Sequence, residues 1–321
     1  MSQSHGKVVI VGSGLIGRCW AVLFARAGHN VTMYDIDEKQ LSDALVAIRQ
    51  QVTEMHQCGS LGEGKTVDGV CQNVRSSSDL ATCLQGALHV QECVPEIVDL
   101  KKKVFSELDK HVDEGVVMAS SSSCIVPSSF TESLRHRSQC IVAHPVNPPQ
   151  YIPLVEIVPA PWTAPEIVKR TRDLMQSIGQ APVTLNKEVN GFLLNRLQYA
   201  LIMEGWRLVQ DGVCTPEDVD TAVSQGLGLR YSFMGPFEVM HLNAEGIKDY
   251  CDRYGANITR VCETQCSARE MPGTSTCTAV HEAMCRQTPV EDLPARRQWR
   301  DTRLAALAAH KQELEDKEKK A

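Results

Sequence analysis

His144 and Glu156 stand twelve residues apart in the stretch IVAHPVNPPQYIPLVEIV, residues 141–158. An imidazole ends one β-branched run, and a carboxylate sits inside the next. Both runs read as buried strands, where such groups are uncommon. If the two strands pair as neighbours, the carboxylate reaches one ring nitrogen. That contact fixes the tautomer, stabilises the imidazolium and leaves the other nitrogen as a base. The intervening prolines fix φ and hold such a base in place. Taken alone, the two residues read better as a core histidine satisfied by backbone carbonyls and an edge-strand glutamate. What tips the balance lies upstream.

The run GVVMASSSSCIVPSSF (115–130) is a buried strand followed by four consecutive serines. Serine runs usually form loops that bond their own backbone. A hydroxyl at the end of this strand can also donate to a substrate oxygen. Cys124 beside the serine run has no local motif of a nucleophile and reads as a packing residue.

A hydride acceptor is implied by the N-terminal region. KVVIV (7–11) is a strand that leads into GSGLIG, an apolar-striped helix ending at Gly28, and the strand NVTMYD ending in Asp35. Gly12 allows the tight turn, Gly14 lets the backbone approach a pyrophosphate, and Gly17 lets the helix pack on the strand. With Leu15 and Ile16 between them, they put free N–H groups of a helix start beside the phosphates. Asp35 can accept from the adenosine ribose hydroxyls and repel a 2′-phosphate, which favours NAD over NADP. Glu96 and Lys101 follow a strand near 87–93 and lie where open parallel sheets bind ligands. Lys101 is the member of KKK (101–103) placed to reach a cofactor or substrate anion, whereas Lys102 and Lys103 read as a solvated helix face.

These residues need a scaffold of alternating strands and helices, and the remaining chain extends it. The expected fold class is α/β, a Rossmann-type doubly wound, mostly parallel sheet followed by an all-helical C-terminal domain. The expected division is 1–187 for NAD binding and 188–321 for the substrate and for dimerisation. In NKEVNGFLLNRLQYALIMEGWRLVQDG, Leu194, Leu197, Leu201 and Leu208 mark one face of a long helix, and Gly212 ends it. Asn195 in that run pairs with backbone or faces a cleft, and position alone does not decide which. Thr215, Pro216 and Asp218 form a capping-box pattern. A charged helical tail that frays at its end closes the chain.

Bulk properties narrow the function further. The 321 residues carry a formal net charge of −6 and 22% charged residues, so a nucleic-acid partner is not expected. No apolar run approaches the ~18 residues of a membrane span. The start MSQSHGKVVIVG lacks the features of a signal peptide. Thirteen cysteines without CxxC spacing read as free thiols of a reducing cytoplasm, with no metal site.

Taken together, VIVGSGLIG, MYD, ECVPE, ASSSS, HPVNPP, VEIVP, NGFLLNRL and GPFE resemble the 3-hydroxyacyl-CoA dehydrogenase family, along the chain to about residue 250. The family uses a His–Glu pair with a serine and an asparagine, roles that fall on His144, Glu156, Ser123 and Asn195. The resemblance implies NAD, a homodimer and an L-configured 3-hydroxy acid, here the 3-hydroxyl of L-gulonate. Fatty-acyl members typically read HFFNP where this chain has HPVNPP, and asparagine and threonine where it has Ser121 and Ser122. Losing two aromatic rings beside the base suits a free, polyhydroxylated acid better than an acyl thioester. The alternatives are a short-chain 3-hydroxyacyl-CoA dehydrogenase and a structural protein that binds NAD(H) without turnover.

Overall fold

The computed structural model describes residues 6–265 and 268–319. The polar start at 1–5 and the end of the tail at 320–321 lie outside them. Two compact units are present, one formed by residues up to Asn195 together with those from Gln298 onward, the other by Arg196–Arg297.

The first unit is built on one eight-stranded sheet of order β3-β2-β1-β4-β5-β6-β7-β8. Its strands are β1 Lys7–Val11, β2 Asn30–Tyr34, β3 Val74–Ser77, β4 Ala87–Glu92, β5 Val117–Ser120, β6 Cys140–Pro145, β7 Leu154–Pro159 and β8 Ala181–Thr184. β1 to β6 are mutually parallel, β7 runs antiparallel to β6, and β8 is parallel to β7. In β1, Val8 and Ile10 enter one apolar cluster while Val9 and Val11 enter another. Both faces are therefore covered, which is why the parallel strands read as continuous apolar runs rather than alternating ones.

Helix α1 (Leu15–Arg26) packs against the first face through Trp20, Leu23 and Phe24. Helix α2 (Glu38–Gln57) begins at Asp37, whose carboxylate accepts from Lys39 N at 2.9 Å and Gln40 N at 3.2 Å. Such a cap satisfies donors that a helix start otherwise leaves orphaned. The 60–78 region, expected as loop with a short strand, contains β3 and also a five-residue helix, Val67–Cys71, capped by Thr66.

The expected boundary at 187/188 differs from the compact units. Residues 188–195 stay with the sheet because Phe192 is fully buried in its second cluster and Asn195 bonds the serine loop. The charged tail helix Leu293–Glu318 likewise contributes its residues from Gln298 onward to the first unit.

The second unit is helical. The helix Leu194–Gln210 supplies most of its length to it, and Gly212 at φ +69° follows that helix. Thr215 and Asp218 form the reciprocal capping box that the spacing predicts. Arg207 donates to Thr264 O at 2.7 Å, and Arg286 meets Glu217 at 3.1 Å, tying distant helices together. Leu197, Leu201, Ile202, Phe237 and Val261 are exposed.

Candidate active site

The parallel strands all end on one edge of the sheet, and the sequence-predicted residues gather there. Gly12 has φ +104°, a region open to glycine, and its N–H donates to Tyr34 O at 2.9 Å. A Cβ on Gly17 would collide with Gly12 O, so only glycine lets α1 approach the turn. A Cβ on Gly14 would meet nothing, and no side chain caps α1 there. Among the described residues the helix start thus has open space beside Gly14 and no side-chain cap, as a phosphate-binding helix N-terminus requires. Leu15 is exposed at the helix start, while Ile16 packs partly against the core. Asp35 Oδ2 accepts from Ser13 N at 2.8 Å and Ser13 Oγ at 2.7 Å, and Oδ1 accepts from Asp37 N at 3.3 Å. The carboxylate thus braces the glycine turn besides standing where ribose hydroxyls are expected. These residues fit a dinucleotide.

Glu96 proves to be the anchor of the serine loop. Its Oε1 accepts from Ser122 Oγ at 2.6 Å, Ser123 N at 2.9 Å, Cys124 N at 3.0 Å and Ile125 N at 3.3 Å. Burial pushes the Glu96 carboxyl up, but these donors and the Lys101 ammonium outweigh it and hold it below the ordinary value.

Lys101 departs from expectation. Its side chain is 1% exposed, and its ammonium lies 3.0 Å from both Glu92 oxygens, 3.4 Å from Val94 O and 3.5 Å from Glu96 Oε2. It is turned inward, where it ties β4 to the helix Val98–His111. The physical reason is Glu92, a fully buried carboxylate that requires a cation. Lys102 and Lys103 are solvated as expected.

The His–Glu pair forms as the spacing predicts. Antiparallel pairing of β6 and β7 sets His144 directly opposite Glu156, with Nδ1 2.7 Å from Oε2. Glu156 Oε1 accepts from the backbone N–H groups of Leu193 at 2.7 Å and Leu194 at 2.8 Å. Burial pushes the Glu156 carboxyl up, yet the bonds from His144 and these two amides hold it below the ordinary value. An ionised carboxylate only accepts, so Nδ1 is the donor, and in the neutral ring Nε2 is the nitrogen left with a lone pair. Asn195, one residue further on, is buried and donates to Ser123 O at 2.8 Å. His144, Glu156, Asn195 and the Ser123 backbone are thus joined through the start of one helix. Ser123 itself is exposed, whereas the Ser122 hydroxyl is buried against Glu96.

Three participants were not anticipated. Glu92 is one. Gln91 is another, a buried amide that donates to Ser121 Oγ at 2.7 Å and to Ala143 O, next to His144, at 3.2 Å. Both sit in ALHVQE, and three polar side chains in a strand covered on both faces were the available signal. Phe192 is the third. Its ring centroid lies 5.7 Å from that of His144, and its φ is +50°.

Comparison with known proteins assigns the chain to a family. Residues 7–189 match the family described as 3-hydroxyacyl-CoA dehydrogenase, NAD binding domain, and residues 191–279 the corresponding C-terminal domain. The chain belongs to the 3-hydroxyacyl-CoA dehydrogenase family. It is an NAD-dependent oxidoreductase, and its cofactor is NAD. Within that family it is 50% identical to lambda-crystallin of Oryctolagus cuniculus over 98% of this chain and 99% of the relative. It is 34% identical to L-carnitine dehydrogenase of Oceanobacillus iheyensis over 78% of this chain and 80% of that one. A solved NAD+-dependent dismutase, 5-formyl-3-hydroxy-2-methylpyridine 4-carboxylic acid 5-dehydrogenase, superposes with a TM-score of 0.78 at 27% identity, covering 96% of this chain and 98% of its own. Among the described residues no helix is long and apolar enough to cross a membrane, and no His, Cys, Asp and Glu cluster is placed to hold a metal.

Proposed function

We propose that this chain oxidises the 3-hydroxyl of an L-3-hydroxy acid, with L-gulonate as substrate, and that His144 is the general base. The observation that carries the reading is the 2.7 Å contact between His144 Nδ1 and an ionised Glu156 on the sheet edge that also holds the glycine turn. NAD, when bound, supplies the hydride acceptor. His144 Nε2 takes the hydroxyl proton as the C3 hydride departs, and Glu156 stabilises the imidazolium that results. Ser123 offers its exposed hydroxyl to the reacting oxygen, and Asn195 holds that loop through the Ser123 carbonyl. The small, non-aromatic Pro145 and Val146 after the base favour a free polyhydroxylated acid over an acyl thioester.

The test is a substrate panel followed at the NADH absorbance band. L-gulonate should turn over faster than 3-hydroxybutyryl-CoA; the reverse order would move the enzyme to the acyl-CoA reading. His144→Gln should bind NADH normally and lower kcat by roughly a hundredfold to ten-thousandfold, the usual worth of a positioned acid–base group. Oxidation should rise with pH, since a general base accepts the hydroxyl proton only in its unprotonated form. A His144→Gln enzyme with near-normal kcat and an unchanged profile would return His144 to a packing role.

A further inference from the structure

The turn that precedes Leu193 is unusual in its chemistry. Gly191 has φ +77° and Phe192 φ +50°, two successive left-handed residues separated by Leu193 from the helix Leu194–Gln210. Glycine adopts that region without penalty, but an aromatic residue does so only where its surroundings over-determine it. Here they do. The Phe192 side chain is fully buried among apolar residues, its N–H donates to Val189 O at 3.0 Å, and its ring lies at 59° to the His144 imidazole. The next two amides after this turn are the two that hold Glu156 Oε1.

We propose that Phe192 is a positioning residue of the His144–Glu156 pair: its buried ring anchors a left-handed backbone that aims the Leu193 and Leu194 amides at Glu156. The inference rests on His144 being the base. The ring works twice, as a wall beside the imidazole and as the anchor of the strained turn. Without the anchor the backbone relaxes toward negative φ and the two amides leave the carboxylate. Glu156 Oε1 then loses the two donors that fix the carboxylate in place, Oε2 moves off Nδ1, and the imidazolium, deprived of its close partner, is less favoured.

The other ionisable groups around the pair are limited. β5 and β8 carry none, and β8 places Val183 opposite Glu156. β6 adds Cys140, whose thiol burial pushes up. The serine loop adds Cys124, 3.6 Å from Asn195 Nδ2, and the helix start adds Arg196, which is exposed. Glu156 itself is held by His144 and by the two amides.

The experiment uses the full-length chain and two readouts. The His144 imidazole titration is followed by NMR without substrate, with His144→Gln identifying its resonance. The pH profile of kcat/KM is followed with L-gulonate and NAD. Phe192→Ala, which removes the anchor but keeps the Cβ that resists positive φ, should lower the titration midpoint. It should move the acid limb of the profile the same way and reduce kcat/KM at neutral pH by roughly tenfold, part of a positioned base's contribution. Phe192→Gly removes even more of the side chain but readmits the left-handed backbone, so its midpoint should stay closer to that of the parent. A purely packing role predicts the opposite order, glycine at least as damaging as alanine, with the midpoint unmoved in both. Either of those results overturns the proposal. Should Phe192→Ala fail to fold, Phe192→Leu keeps an apolar anchor and should show a smaller downward movement; no movement there also overturns it. If L-gulonate is not oxidised by any form, the substrate reading fails while the titration still decides this one.

Discussion

At the scale of single residues, the serine loop separates two hydroxyls that the sequence presents as equivalent. Ser122 is fully buried and spends its hydroxyl on Glu96, while Ser123 leaves its own exposed beside Asn195. Ser123→Ala should therefore lower kcat/KM by roughly tenfold to a hundredfold, the worth of one hydrogen bond of ~1–3 kcal/mol, and leave the melting temperature unchanged. Ser122→Ala should do the converse, costing ~1–3 kcal/mol of stability because Glu96 loses its closest donor. Denaturant melts and steady-state kinetics on both variants settle the assignment, and a crippled Ser122→Ala of normal stability would move the role by one residue. Lys101 teaches the complementary lesson. A lysine at a ligand-binding edge looks available in sequence, yet a buried Glu92 claims it.

At the scale of elements, the β1–α1–β2 unit is held at two points. Gly17 lets the helix approach the turn, and Asp35 clasps Ser13 from the end of β2. Asp35→Ser should consequently do more than relieve the repulsion of a 2′-phosphate. NAD should bind more weakly because the turn loses its brace, and the preference for NAD over NADP should narrow. Fluorescence titration with NADH and NADPH measures both. An unchanged ratio of the two affinities would remove Asp35 from the ribose site and leave it only the bracing role. The helix Leu194–Gln210 plays a comparable part, since its first turn supplies Asn195 and the Leu194 amide, which holds Glu156 together with the Leu193 amide just before it.

At the scale of the whole molecule, two features have consequences. Leu197, Leu201, Ile202, Phe237 and Val261 of the second unit are exposed in a single chain. Leu197, Leu201 and Ile202 are near neighbours on one helix, where exposed apolar side chains favour a covering partner, and we propose that a second copy covers them. Sedimentation should report a dimer, and Leu201→Asp combined with Ile202→Lys should shift it toward monomer; a monomeric parent chain would contradict the proposal. The second feature is His89, fully buried in β4, with Nε2 2.9 Å from Gln91 Oε1. Burial lowers its pKa from 6.5 to about 4, against a smaller opposing effect of the Gln91 bond. The unfolded chain then binds a proton that the folded chain refuses. Stability is full above about 6.5 and falls as pH drops toward 4, by about 3 kcal/mol at most, at about 1.4 kcal/mol per pH unit. Urea midpoints at pH 7.5 and 4.5 should diverge less in His89→Gln than in the parent. Equal divergence would assign the acid sensitivity to other groups.

Much of this protein is written in local chemistry. The glycine turn, the acid ending β2, the parallel-strand pattern, the capping box at Thr215 and the His–Glu spacing all follow from neighbours in the chain. So does the His144–Glu156 contact, because two successive strands joined by a short proline-rich link pair antiparallel and so set the register. Other features depend on residues far apart in sequence. Lys101 turns inward because β4 buries Glu92, and Glu96 becomes a loop anchor because β5 delivers four donors to it. Asn195 finds its partner 72 residues away, and Phe192 holds positive φ only because the sheet encloses its ring. Periodicity records which face of an element is buried, but not which buried polar groups meet. Those meetings are decided by desolvation, since each charge or amide removed from water takes whichever partner the assembled fold brings within reach.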